Sequence, residues 1–130
     1  MKAELLVKYM LSRLGCTHPF RISRILLLAE YESREKYGRN LSQDLTFKGE
    51  SFGFYIEELG LLINELERQG CIERIPEKKC IIYRCEEPSI DEPAKSVIDS
   101  IIDRVKGLDD RELNKIVISH PLYRQVVQSE

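Results

Sequence analysis

The hydrophobic period of this chain changes at Gly70. Before it, Ile56, Leu59, Leu62, Ile63 and Leu66 recur at helical spacing. After it come two short runs rich in β-branched residues, Cys71-Ile72-Glu73-Arg74-Ile75 and Cys80-Ile81-Ile82-Tyr83-Arg84, separated by Pro76-Glu77-Lys78-Lys79. Two such runs around a polar tip read as a β-hairpin. The remaining periodic segments read as helices. The expected fold class is therefore α+β and mainly helical.

The N-terminal segment carries Leu5, Leu6, Tyr9, Met10 and Leu14 on one stripe and predicts a helix over 2–14, with Gly15 as its stop. Pro19 biases His18 away from helical dihedrals, so Cys16 to Pro19 reads as a connector. A second helix is expected over 20–37, with Ile22, Ile25, Leu26, Leu28, Ala29 and Tyr37 inward and Gly38 at its end. Leu45, Thr46 and Phe47 suggest a short strand, Lys48 to Ser51 a turn, and Ser51 an N-cap. The third helix is expected from Phe52 to Gln69. Beyond the hairpin, Ala94, Val97, Ile98, Ile101, Ile102 and Val105 give the cleanest helical stripe, over 92–106. Asp109 followed by Glu112 resembles a capping box, which starts a fifth helix over 110–118. His120-Pro121 breaks it, and 122–127 adds a last helical turn. We read residues 1–90 as a core and 91–130 as a helical extension packed on the same domain.

Helix, helix, short strand, helix, hairpin is the element order of a winged helix, with the hairpin as the wing and the third helix as the one that would enter a groove. The phrase Leu66-Glu67-Arg68-Gln69-Gly70-Cys71-Ile72-Glu73 resembles the point where winged-helix regulators turn into the wing. A narrower resemblance lies in Ile25-Leu26-Leu27-Leu28-Ala29-Glu30 followed by Tyr37-Gly38-Arg39, then Phe52-Gly53-Phe54-Tyr55 with Leu59 behind it, and Ser119-His120-Pro121 near the end. These segments resemble the SocA-like antitoxin family, the Panacea domain, over residues 20–125. The chain departs from that family at Phe54, where a proline is usual, and in having Leu for an aromatic inside the second helix. The resemblance implies a winged-helix-like fold that binds and neutralises a partner toxin, with some members serving as proteolysis adaptors.

At 42% hydrophobic and net charge −2, the chain has the material for one core and lacks the composition of a disordered segment. No run of apolar residues is long enough to span a bilayer, and no leader pattern is visible at Met1 to Tyr9. The expected location is the cytoplasm. None of the four cysteines, 16, 71, 80 and 85, forms a C-x-x-C pair. We read them as small buried hydrophobes in a reducing compartment. The alternatives are a metal site built on Cys16 and His18 and a bridge between the hairpin arms. No metal or cofactor is expected.

The solvent face of the third helix should carry Phe54, Glu57, Glu58, Leu61, Asn64, Glu65 and Arg68. Carboxylates on that face oppose approach to a phosphate backbone. A DNA-binding regulator would have to use Arg21 and Arg24 on the second helix, Lys48 in the connector, and Lys78 and Lys79 at the wing tip. A protein-binding module would instead use the apolar residues at the start of the third helix, Phe54, Tyr55 and Leu61, since exposed aromatics within a polar rim have the composition of interface hot spots. The stripe of the fourth helix could pack inside a monomer or form the seam of a homodimer. His18 and His120 are the only histidines. Ser119 beside His120 is no triad, and no phosphate loop or zincin motif is present. The expectation is a non-enzymatic regulatory protein, with His120 capping or packing at a turn.

Overall fold

A computed structural model describes all 130 residues. The protein is α+β and mainly helical. The elements run α1 (Ala3–Arg13), α2 (Pro19–Tyr37), β1 (Phe47–Glu50), β2 (Gly53–Ile56), α3 (Leu59–Arg68), β3 (Ile72–Ile75), β4 (Cys80–Tyr83), α4 (Glu92–Val105), α5 (Asp110–Ile118) and α6 (Tyr123–Val126). No helix is long and apolar enough to cross a membrane.

α2 is the axis of the helical body. His18 sits at its N-cap in extended conformation, its ring accepting from Phe20 N–H, and Pro19 fills the first helical turn, where no donor is needed. Gly38 closes the helix at φ 65°, a left-handed cap that a side chain would strain. Ile22, Ile25, Leu26, Leu27 and Ala29 are fully buried. The stripe of α4 packs against α2, with Ala94, Val97, Ile98, Ile101 and Val105 buried within the single chain. Removing five such side chains from water is the largest favourable term available to that helix. α4 starts on the Asp91 side chain, which accepts from Ala94 N–H. α5 starts on the full capping box of Asp109 and Glu112.

Polar groups of α2 fix where α4 and α5 sit. Arg21 donates to the carbonyls of Val105 and Leu108 at 2.6 and 2.8 Å and pairs with Asp110. A cation on the carbonyls at a helix C-terminus is favourable. Tyr31 donates to Val117 carbonyl at 2.9 Å, and Arg24 donates to Asn114. One apolar cluster runs from Ala3 to Val127, drawing on α1 at one end and α6 at the other.

Two antiparallel hairpins flank α3. In β1–β2, Phe47 faces Ile56 and Gly49 faces Phe54. In β3–β4, Ile72 faces Tyr83 and Ile75 faces Cys80, with one 3₁₀ turn (Pro76–Lys78) as the tip and Lys79 left-handed at φ 53°. That second hairpin lies where the wing is expected. Each hairpin also receives one extra pairing residue. Thr17 pairs with Ile81 of β4, and Gln128 pairs in parallel with Lys48 of β1.

The structure corrects two sequence expectations. The third helix begins at Leu59, not Phe52, and Phe47 to Ile56 forms a hairpin in which Ser51 and Phe52 are the turn. The cysteines are not free: Cys16 is bonded to Cys80 and Cys71 to Cys85. Thr17 pairing with Ile81 brings Cys16 beside Cys80. Closure of the hairpin base brings Cys71 to Cys85, with Arg84 N–H donating to Cys71 carbonyl at 2.8 Å.

Candidate interaction surface

The strand register decides which aromatics reach solvent. Along β2, Phe54 and Ile56 point inward and Tyr55 outward, the two-residue alternation of a strand. Phe54 is 7% exposed. Its ring lies 6.3 Å from Phe47 and meets Tyr123 edge-on at 6.2 Å. The expectation that Phe54 is an exposed partner-binding residue is therefore overturned. A helical reading of 52–58 placed it outside; the strand places it in the core. Phe52 and Tyr55 are the exposed pair, Phe52 at 79% in the β1–β2 turn. Leu61 is 75% exposed on α3, as its helical position predicts.

Close approach of the two strands requires Gly49. A Cβ there would lie 2.3 Å from the Gly53 carbonyl oxygen and 2.5 Å from Phe54 Cα, inside any permitted contact. The hairpin is anchored at its outer edge by Tyr123, whose hydroxyl donates to Glu50 carbonyl, and by Gln128, which exchanges backbone hydrogen bonds with Phe47 and Gly49. At its inner end, Glu58 accepts from both Thr46 N–H and Thr46 hydroxyl at 2.7 Å.

Three of the five cations considered for DNA contact are committed elsewhere. Arg21 holds the end of α4, as described. Arg24 is 6% exposed and lies between the rings of Phe20 and Phe54, its guanidinium carbon 3.9 and 4.2 Å from their centroids. Burial pulls its pKa below the usual arginine range. Lys48 pairs with Glu57 at 2.7 Å, and that carboxylate raises the lysine pKa. Lys78 and Lys79 remain exposed at the tip of β3–β4, without a carboxylate partner.

The charges on and beside α3 are largely satisfied within the protein. Arg68 donates twice to Glu65, and these bonds push the Glu65 carboxyl down to about 2. Arg74 donates to Glu67 at 3.0 Å and to Asn64 at 2.9 Å. This leaves Phe52, Tyr55 and Leu61 as apolar groups on adjoining elements, among ion pairs that have little left to offer a phosphate. Between Tyr55, α3 and the start of α2 lies a groove of about 400 Å³. It is the one feature here that the sequence did not signal, because it joins residues from three separated segments.

The histidines serve the backbone. His18 Nδ1 accepts from Phe20 N–H and His120 Nδ1 from Leu122 N–H, both at 3.0 Å. The His120 ring stacks on Tyr31 with centroids 4.1 Å apart. The bridge to Cys80 removes Cys16 as a metal ligand, and no group of His, Cys, Asp or Glu is arranged to hold an ion. Comparison of the chain with protein-family models, curated proteins and solved structures finds no significant match to any of them.

Proposed function

We propose that this protein is a non-enzymatic binding module whose partner is another protein, engaged through Phe52, Tyr55 and Leu61. One observation carries this reading. Three of the five exposed large apolar side chains, Phe52, Tyr55 and Leu61, lie on β1–β2 and α3, with Ile116 and Tyr37 (expected inward) on other helices, while three of the five cations considered for a nucleic acid are held in internal contacts. Apolar anchors ringed by charged residues are the composition of an interface hot spot. A toxin as partner, in the manner of a SocA-like antitoxin, is the specific form of this proposal.

A photo-crosslinking residue placed at Leu61 tests it in cells. A discrete protein adduct is expected at Leu61 and none from Lys106, which is exposed at the end of α4. Phe52→Ser should remove the adduct while circular dichroism stays unchanged. Absence of a discrete adduct at Leu61 would reject the proposal.

One observation favours a second reading, a DNA-binding winged-helix regulator: Lys78 and Lys79 are exposed together at the wing tip. Such a protein would bind a random duplex at low salt, and Lys78→Ala with Lys79→Ala would reduce its salt slope by about two. The cytoplasmic expectation comes from the lack of an apolar span and of a leader pattern, and reading the cysteines as thiols accords with it. Two bridges favour an oxidising compartment instead, and a thiol count on protein isolated under alkylating conditions decides between them.

A further inference from the structure

The groove beside Tyr55 holds a cation without an anion. Arg24 is more than nine-tenths buried and lines the groove together with Ser23. Its Nε donates to Asn114 and its Nη1 to Ser23, while its Nη2 has no hydrogen-bond partner. The field of Asp110 reaches it, but that carboxylate is engaged by Arg21 at 2.9 Å. A buried guanidinium without a counter-charge is costly, and two aromatic faces offset only part of that cost. At the mouth of the groove stands His18. Its Nδ1 accepts from Phe20 N–H, so the neutral ring carries its proton on Nε2, which has no partner in the protein. The walls include the apolar groups Phe20, Tyr55, Leu59 and Ile63, together with Asn64 and Arg74, which bond to each other, Arg74 also pairing with Glu67.

We propose that this groove is a binding site for a small apolar carboxylic acid, its hydrophobic body against Tyr55, Leu59 and Ile63 and its carboxylate on Arg24 Nη2 and His18 Nε2–H. The cavity, about 400 Å³, is of the size that holds a small organic ligand. Two free donors and one uncompensated positive charge match a monoanion. This site shares Tyr55 with the proposed partner surface but is argued from other observations, the cavity and the free donors of Arg24 and His18.

The test is titration of naphthoate, and separately of neutral naphthol, into the isotope-labelled protein, read by amide shifts at the start of α2 and along α3. Naphthoate should saturate, and naphthol should bind about tenfold or more weakly. Arg24→Gln could fail to fold, so two other variants hold the proposal to account. Gly60 lies in the groove wall and a Cβ there meets nothing within 4 Å, so Gly60→Leu should fill the groove and abolish naphthoate binding without lowering the melting temperature. His18→Asp retains an N-cap but sets a carboxylate at the mouth. It should weaken naphthoate about tenfold and leave naphthol unchanged. Failure of naphthoate to saturate, equal binding of naphthol, or undiminished binding by Gly60→Leu would each overturn the proposal.

Discussion

The two hairpins have strands of equal length and the same antiparallel sense, yet they are held by opposite means. β3–β4 is covalently fixed. Cys71–Cys85 closes its base, and Cys16–Cys80 ties it to the connector between α1 and α2. Its outward positions are polar, and Glu73, Arg74 and Arg84 lie exposed in ion pairs. β1–β2 has no covalent tie. It is held by Phe47, Phe54 and Ile56 in the core and by Tyr123 and Gln128 along its edge. β3–β4 also buries Ile72 and Ile81 but no aromatic ring, and its bridges restrict the unfolded chain where β1–β2 relies on buried rings.

This contrast can be broken from either side. Phe54→Ala should cost about 3–5 kcal/mol, since a buried ring is replaced by a cavity and Arg24 loses one of its aromatic faces. Urea melts would measure the loss, and hydrogen exchange should place it in β1–β2 while β3–β4 stays protected. In the opposite direction, Cys16→Ser with Cys80→Ser should cost about 4 kcal/mol and Cys71→Ser with Cys85→Ser about 3 kcal/mol, because the first bridge closes the longer loop. A dithiol reductant should act on the wild type in the same way and leave these variants' remaining contrast smaller.

Base should loosen the protein without distinguishing the hairpins. Tyr123 donates to Glu50 carbonyl at the edge of β1, and Tyr83 donates to Glu86 carbonyl after β4. Burial raises the pKa of both, and it raises those of Tyr9 and Tyr31 in the helical body further still. A phenol whose folded pKa lies above its unfolded value near ~10 contributes stability that is complete below that pH and is lost as pH rises through the folded value. Absorbance of phenolate during an alkaline titration should therefore lag behind that of free tyrosine, then rise together with loss of helical dichroism. Normal titration of all six tyrosines before unfolding would contradict this account.

Smaller effects bear on the helical body and the surface. Asp109→Ala removes the capping box of α5 and should cost about 1 kcal/mol in a thermal or urea melt. Leu61→Ser should change stability by no more than about 0.5 kcal/mol, because the side chain is already in water. Its effect should appear only in partner binding.

The hairpin at 72–83 was legible because its strands, tip and flanking Gly70 all carry local signals. The capping box at Asp109 and the stripe of α4 were legible for the same reason. The hairpin at 47–56 was not. Phe52-Gly53-Phe54-Tyr55-Ile56 runs directly into a helical stripe, and five residues containing Ile56 fit either period. The choice is made by Phe47, Tyr123 and Gln128, which lie far apart in the chain. The same applies to the candidate surface: helical spacing puts Leu61 outside, where it lies, whereas Phe54 and Arg24, which local pattern puts at the surface, form part of the interior.

The amino-acid sequence by itself determined the fold class, the positions of α1, α2, α4 and α5, the cap of α5 and the wing-position hairpin, since each depends on periodicity and on turn or cap residues within a few positions of one another. Only the tertiary structure decided the pairing of four cysteines, the burial of Arg24 between two rings, and the groove formed by α2, β2 and α3. Those features join segments separated by tens of residues, and the contacts that select them exist only once the helices have packed.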